Sequence, residues 1–178
     1  MRNRFEIYGN DVLIFLHRKD GTPLATIIEL SDLERANEYD GIWISSYDKD
    51  IQGYYVRGSG GGPLFHRWIA NAPKGMVVDH INHQTLDNRR KNLRVCSNSE
   101  NQQNRTGPQS NNLSHYRGVS KSGKSKWQAS VKINRKYYYL GVYSTPEEAG
   151  KVAEIARSKM MPYSKEALQQ GGTQCQMK

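Results

Sequence analysis

An aspartate and a histidine stand side by side at Asp79 and His80, and an asparagine, Asn101, follows further along the chain. The carboxylate of Asp79 is a hard oxygen ligand suited to Mg²⁺, which needs only one or two protein oxygens. Asn101 offers a second, neutral oxygen; the alternative is that its amide forms hydrogen bonds only within its own helix. His80, whose ordinary pKa lies near neutrality, is suited to take a proton from water. A cation bound to a phosphate opposite such a histidine is the minimal machinery for phosphodiester hydrolysis.

A strand and a loop must position the aspartate and the histidine. Val77 and Val78 predict a short buried strand that ends at Asp79 and His80. Residues 81–91 hold no apolar run and therefore predict a loop. Because adjacent residues of a strand point to opposite sides, Asp79 and His80 must have different roles.

A second strand and a helix complete the arrangement. Residues 92–96 predict the strand, and Ser97 with Glu100 forms a capping-box pattern. This pattern predicts a helix that begins there and carries Asn101 in its first turn. The predicted order is strand, long loop, strand, helix.

The charge of the chain points to a polyanionic partner. The 178 residues carry 26 Lys and Arg against 17 Asp and Glu, a net charge of +9. Residues 1–65 are acidic on balance, whereas the stretch between Thr106 and Thr145 is basic and contains no acid. Aromatic residues are interleaved with these basic ones, which favours a phosphate-binding surface over an ordinary solvated face.

Other classes of protein are disfavoured by composition. No apolar run is long enough to cross a membrane, and the first residues lack the apolar run of a signal peptide, so we expect a cytoplasmic rather than a secreted protein. The two cysteines, Cys96 and Cys175, lie far apart and in no C-x-x-C arrangement. A disulfide framework and a cysteine-bound zinc are therefore not expected.

The central block resembles the HNH, or His-Me finger, nucleases. The matching pattern is V-V-D-H, a polar loop ending D-N-R-R-K-N-L-R, and S-N-S-E-N, and it is most similar to the H-N-N variant of phage-encoded and intron-encoded homing endonucleases. The resemblance implies that His80 is the general base and that Asp79 and Asn101 hold one divalent ion, with Mg²⁺ expected and Mn²⁺ the alternative. It further implies that Asn92 pins the loop and that His66, in an H-R pair upstream, has an accessory role.

Basic side chains beside this centre are candidate contacts to the DNA backbone, the alternative being an ordinary solvated run. They are Arg89, Arg90, Lys91 and Arg94.

The C-terminal part predicts a three-stranded sheet followed by one helix. Its patterns Y-R-G-V, K-W-x-A-x-V and L-G-V-Y-S-T-P-E-E-A resemble the plant APETALA/ethylene-response-factor (AP-two) DNA-binding domain, whose sheet enters the major groove. By position, the resemblance makes Arg117, Trp127, Lys132 and Arg135 DNA contacts, although Trp127 is equally explained as a core residue. Three further lysines are suited to phosphates: Lys121, Lys124 and Lys136.

The predicted fold class is α+β. A ββα-metal nuclease domain with an N-terminal β extension occupies residues 1–105, with its core at 66–105. A polar linker (106–113) leads to a small three-stranded sheet with one packed helix (114–161), and residues 162–178 form a flexible tail.

The function predicted from the sequence is a metal-dependent DNA endonuclease of the homing type, acting on duplex DNA as a monomer or weak dimer, with no evident protein partner. In a phage it would act in the bacterial host. Three alternatives remain: a DNA-binding regulator with an inactive nuclease centre, an RNA-binding module that stacks bases on Tyr137 to Tyr139, and a basic structural protein.

Overall fold

The computed structural model describes residues 1–18 and 20–169. The fold is a mixed α/β one, with several small sheets and few helices in this part of the chain. The chain divides into two compact units, the first over Met1–Asn98 and the second from Ser99 onward. The linker proposed for 106–113 stays a prediction.

The first unit begins with an antiparallel sheet of three strands. These are β1 (Phe5–Tyr8), β2 (Asp11–Phe15) and β3 (Ala25–Glu29), arranged in chain order. Alternate residues of β2 and β3 are buried, which is the period-two pattern of a sheet with one covered face. Strands β2 and β3 pair antiparallel, from Asp11 opposite Glu29 to Phe15 opposite Ala25.

A helix and a second hairpin complete the core of this unit. Helix α1 spans Leu33–Asn37, and strands β4 (Trp43–Asp48) and β5 (Gly53–Gly58) pair antiparallel. The ring of Trp43 is fully buried and lies 4.6 Å, centroid to centroid, from the ring of Phe65. Its indole nitrogen donates to the carbonyl of Ala36 at 3.2 Å, so the largest apolar side chain of the core has its polar group satisfied.

The elements that carry the predicted chemistry follow. Helix α2 spans Phe65–Ile69, and strands β6 (Val77–His80) and β7 (Leu93–Cys96) form an antiparallel pair. Helix α3 (Asn98–Asn101) comes directly after β7. The predicted succession of strand, loop, strand and helix is confirmed.

The second unit contains the predicted three-stranded sheet and its helix. Strands β8 (Val119–Ser122), β9 (Lys126–Ile133) and β10 (Lys136–Tyr143) are antiparallel, with β9 in the centre. Helix α4 (Pro146–Met160) follows the sheet. Pro146 stands in its first turn, and the Thr145 hydroxyl accepts a hydrogen bond from the Glu148 N–H at 3.2 Å.

Small side chains let α4 lie close to the sheet. Ala149 and Ala153 are fully buried and pack with Val119 and Ala129. At Gly150, an added Cβ would stand 2.5 Å from the ring of Tyr116, so a larger residue does not fit without movement.

The predicted flexible tail differs in part from the structure. Residues Lys165–Gln169 form a fifth helix, α5, in which Ala167 is buried and Glu166 forms an ion pair with Arg157 at 2.6 Å. Burial and a largely desolvated ion pair fix this segment, whereas its polar sequence gave little sign of packing. The rest of the predicted tail, residues 170–178 with Cys175, lies outside the described residues.

Candidate active site

The β6–β7 hairpin brings the central aspartate and histidine to one place. Asp79 stands opposite Arg94 and His80 opposite Leu93 in the strand register. The side chains of Asp79 and His80 are both buried, at 8% and 5% exposure. Adjacent strand positions send them to opposite faces, so each has its own set of neighbours.

His80 is surrounded by two other rings and one amide. Its ring centroid lies 5.1 Å from that of His66 on α2 and 6.1 Å from that of Tyr55 on β5. Its Nε2 forms a 3.1 Å hydrogen bond with the Oδ1 of Asn88. The structure therefore brings His66, the predicted accessory residue, into contact with the predicted general base.

The environment keeps both imidazoles neutral at neutral pH. Burial lowers the pKa of His66 to about 3, with smaller contributions from His80 and Arg67. Burial also lowers the pKa of His80, while the hydrogen bond with Oδ1 of Asn88 and the charges of Asp79 and Asp87 oppose that shift. A histidine that is neutral at neutral pH is able to accept a proton.

Asn92 closes the loop between β6 and β7. Its Oδ1 accepts from the backbone N–H of Asn82 at 2.9 Å, and its Nδ2 donates to the backbone carbonyl of Asp87 at 2.7 Å. Its own carbonyl accepts from the N–H of Ile81 at 2.9 Å. The side chain is buried, so these bonds hold both arms of the loop together without competition from water.

The same loop is docked on the N-terminal sheet. The N–H of Ile27 on β3 donates to the carbonyl of Leu86 at 3.0 Å, and the N–H of Asn88 donates to the carbonyl of Ile27 at 2.8 Å. The Thr85 hydroxyl adds a 2.6 Å bond to the carbonyl of Tyr54 on β5. The N-terminal strands therefore support the loop that carries Asn88.

Asn88 is a site residue that sequence reasoning missed. It is 1% exposed, and besides His80 it contacts Thr26, whose Oγ1 accepts from its Nδ2 at 2.7 Å. Asn88 follows Asp87 in a polar run in which every residue is compatible with a loop. Its partner Thr26 lies far away in sequence, so only the register of the loop on β3 reveals the contact.

Asp79, the predicted metal ligand, forms an ion pair with Arg94 through its Oδ2. No group of three His, Cys, Asp or Glu side chains suited to a metal occurs among residues 1–18 and 20–169. One carboxylate such as that of Asp79 is compatible with a divalent ion that takes its other oxygens from phosphate and water, and the identity of that ion stays a prediction. Asn101, at the end of α3, belongs to the second unit, and its role as a ligand stays a prediction.

The arginines expected to contact DNA beside this centre have protein partners. Arg89 binds both carboxylate oxygens of Asp87, at 2.8 and 2.9 Å, and also Asp11 at 3.0 Å. Arg90 binds the buried carboxylate of Asp32 at 2.8 Å. With Arg94 paired to Asp79, all three guanidinium groups help to hold the fold, and their contact with DNA stays a prediction.

In the second unit the predicted contacts fall into two groups. The first group has contacts within the protein. Arg117 is half-buried and donates hydrogen bonds to the backbone carbonyls of Gln102, Gln103 and Arg105. Trp127 packs against the core, which agrees with its alternative interpretation as a core residue. The remaining predicted contacts are exposed. They are Lys121, Lys124, Lys132, Arg135 and Lys136.

The face of the sheet opposite α4 is open and carries aromatic and basic groups. Lys132 pairs in register with Tyr137, and its ammonium lies 4.8 Å from the centre of that ring. Tyr139, two positions further along β10, shares this face, and both tyrosines are about two-thirds exposed. Arg135 stands in the β9–β10 turn with φ of 67°. This surface combines cations with exposed rings.

The geometry of the central block agrees with its likeness to known proteins. Residues 64–103 match the family model described as HNH endonuclease. The chain carries an HNH endonuclease family domain. Within the matched range lie His66, Asp79, His80, Asn92 and Asn101. No curated protein and no solved structure matches the chain significantly.

The HNH domain indicates a nuclease that acts on DNA, and nucleases of this kind typically use a divalent metal ion. None of the helices in the described residues has the length and apolar character required to cross a membrane.

Proposed function

We propose that the protein is a metal-dependent DNA endonuclease of the homing type, in which His80 is the general base. One observation carries this proposal: a buried histidine with a lowered pKa stands beside a buried aspartate in the β6–β7 hairpin of an HNH domain. General bases of this kind must be neutral and fixed in orientation before water binds.

The hydrogen bond to Asn88 defines which nitrogen of His80 is basic. An amide oxygen only accepts hydrogen bonds, so Nε2 of His80 must carry the proton that it shares with Oδ1 of Asn88. Nδ1 then holds the lone pair that takes a proton from water. Asp79 would hold the divalent ion together with Asn101, and such an ion, when bound, stabilises negative charge on the phosphate and on the leaving oxygen.

The second unit is proposed to bind duplex DNA through the open face of its sheet. The basic and aromatic groups there supply phosphate contacts and a surface against which the sugar-phosphate backbone packs. One catalytic centre in each chain predicts a nick in one strand, unless two chains act together.

A plasmid-nicking assay tests the proposal. The wild-type protein is expected to relax supercoiled DNA with Mg²⁺ or Mn²⁺ and to stop when EDTA is added. His80→Ala should lower the cleavage rate about 10²-fold or more while leaving the affinity for DNA unchanged. His17→Ala, which removes an exposed histidine of the same unit, is the matched control. Cleavage by His80→Ala at the wild-type rate contradicts the assignment.

The ion pair between Arg94 and Asp79 favours a second candidate, a DNA-binding regulator with an inactive centre. The guanidinium of Arg94 lies on Oδ2 of Asp79, where it would compete with a cation for that carboxylate. Electron paramagnetic resonance of Mn²⁺ separates the two candidates. An enzyme binds a Mn²⁺ ion that Asp79→Asn loses, whereas the regulator binds DNA without a Mn²⁺ site that depends on Asp79.

A competition experiment tests the nature of the nucleic acid. Labelled duplex DNA should be displaced by unlabelled duplex and poorly by single-stranded RNA. Preferential displacement by the RNA would instead favour base stacking on the exposed tyrosines.

A further inference from the structure

We propose that Thr26, on strand β3, is a positioning residue that determines which nitrogen of His80 carries the proton. It acts through Asn88, and its effect on the rate of cleavage rests on the proposed function. Thr26 lies outside the segment that matches the HNH family, in the N-terminal sheet. The N-terminal strands would then contribute to the chemistry as well as to the fold.

The direction of each hydrogen bond follows from the groups involved. The Thr26 hydroxyl lies 2.7 Å from the carbonyl oxygen of Leu86, which only accepts, so the single hydroxyl hydrogen points there. Toward Asn88, 2.7 Å away, Oγ1 of Thr26 must therefore act as an acceptor. Only the Nδ2 end of the amide is able to donate to it. Oδ1 of Asn88 consequently faces His80, and Nε2 of His80 must donate.

The alternative orientation of the amide is unfavourable. Rotating the side-chain amide of Asn88 by 180° would place its Oδ1 against Oγ1 of Thr26, whose hydrogen is already donated to the carbonyl of Leu86. It would also present an NH₂ group to Nε2 of His80, which would have to give up its proton to Nδ1. The lone pair would then face Asn88, and the basic nitrogen proposed for catalysis would be lost.

Burial makes this constraint effective. Thr26 and Asn88 are each 1% exposed and His80 is 5% exposed, so solvent does not readily replace a missing partner. Two backbone bonds between the loop and β3, those of Leu86 and Asn88 with Ile27, fix the register that places Thr26 beside Asn88. The carbonyl of Leu86 also accepts from Ile27, so it keeps a partner when the hydroxyl is removed.

Two substitutions of Thr26 and one control test the inference. Thr26→Val keeps the shape and removes the hydroxyl, whereas Thr26→Ser keeps the hydroxyl. Thr85→Val is the matched control, because it also removes a hydroxyl bond between the loop and the N-terminal strands but leaves the bonds of the Asn88 side chain in place. Should Thr26→Val fail to fold, Thr26→Cys, with a weakly hydrogen-bonding thiol, gives the same measurements.

Long-range ¹⁵N–¹H correlation spectra of the imidazole rings measure directly which nitrogen of His80 carries the proton. Wild-type protein, Thr26→Ser and Thr85→Val should show His80 protonated at Nε2, and Thr26→Val should show a mixture of the two forms. The cleavage rate at saturating DNA should fall about tenfold in Thr26→Val with KM unchanged, which corresponds to about 1.4 kcal/mol. Thr26→Ser should restore the rate.

The outcomes separate this inference from the proposed function. If Thr26→Val cleaves DNA at the wild-type rate and keeps the proton of His80 on Nε2, the inference is overturned and the nuclease assignment stands. If wild-type protein does not cleave DNA but Thr26→Val still shifts the proton, the positioning role is supported and the proposed nuclease activity fails. An equal loss of rate in Thr85→Val and Thr26→Val, with no shift of the proton, also overturns the inference, since it indicates general loosening of the loop.

Discussion

The β6–β7 loop of the first unit and the open sheet face of the second use polar side chains in opposite ways. In the loop, Asn88 and Asn92 are buried, as is His80 at the end of β6, and their hydrogen bonds limit the orientation of these side chains. On the sheet, Lys132 and Tyr137 are exposed, and Lys132 contacts its cross-strand neighbour. Catalysis needs groups that are fixed before the substrate arrives, whereas an electrostatic surface needs charges that remain accessible.

The arginines follow the same division. Arg89, Arg90 and Arg94 of the HNH domain are paired with carboxylates of the first unit. The basic residues of the β9–β10 hairpin, such as Arg135, are exposed. A cluster of basic residues in this sequence therefore either forms ion pairs within the fold or remains exposed on the surface. Only tertiary contacts distinguish the two cases.

The largest effect is expected at Asn92, which closes the loop directly before β7. Asn92→Leu keeps the approximate volume but removes both side-chain hydrogen bonds that close the loop. Because a shift of about 1 Å in a catalytic group costs about 10²-fold in rate, cleavage should fall by about that factor. Plasmid-nicking rates measure it, with DNA affinity by fluorescence anisotropy as the control. Unchanged cleavage would mean that the loop does not depend on Asn92.

A change in the paired arginines should affect the fold. Arg90→Gln leaves the carboxylate of Asp32, whose side chain is 2% exposed, without its ion pair. The free energy of unfolding in urea should fall by about 2 kcal/mol, since the guanidinium itself is half exposed and its loss costs less than that of a fully buried pair. DNA affinity should change little. A large loss of affinity with wild-type stability would place Arg90 in the DNA interface instead.

The exposed cations should show the reverse behaviour. Replacing Lys132, Arg135 and Lys136 together by Gln should weaken DNA binding about tenfold and reduce the slope of log K against log salt concentration by about three. Stability should stay within about 0.5 kcal/mol of wild type, as is usual for surface substitutions. The slope is obtained from binding curves at several salt concentrations. An unchanged slope would remove this face from the proposed interface.

The smallest effect is expected from the pH dependence of stability. The pKa of His66 is lowered from 6.5 to about 3 in the folded protein, so below pH 6.5 the unfolded chain binds a proton that the folded chain does not. The contribution of His66 to the free energy of unfolding is fully present above pH 6.5. It should fall by about 1 kcal/mol between pH 6.5 and pH 5.5. His80 acts in the same direction. His66→Phe should flatten the urea-unfolding profile over that range, and an identical profile in the variant would contradict the burial of a neutral His66.

Local patterns predicted much of the fold. The period-two alternation in β2, β3 and β9 and the Thr145–Pro146 start of α4 are properties of short segments, so the sequence alone indicates them. The Asp79–His80 pair was recognised for the same reason, since neighbours in a strand need no tertiary information to be placed. Helix α5 was missed, because its order depends on the burial of Ala167 and on the ion pair with Arg157.

The sequence by itself determined the chemical groups available, the basic character of the C-terminal part and the order of strand, loop, strand and helix around His80. Only the tertiary structure decided that Asn88 rather than a charged residue faces His80, that Thr26 stands behind it, and that Arg94 lies on Asp79. The physical reason is that a hydrogen bond depends on distance and direction in space. The docking of the loop on β3 brings together residues that no local pattern connects.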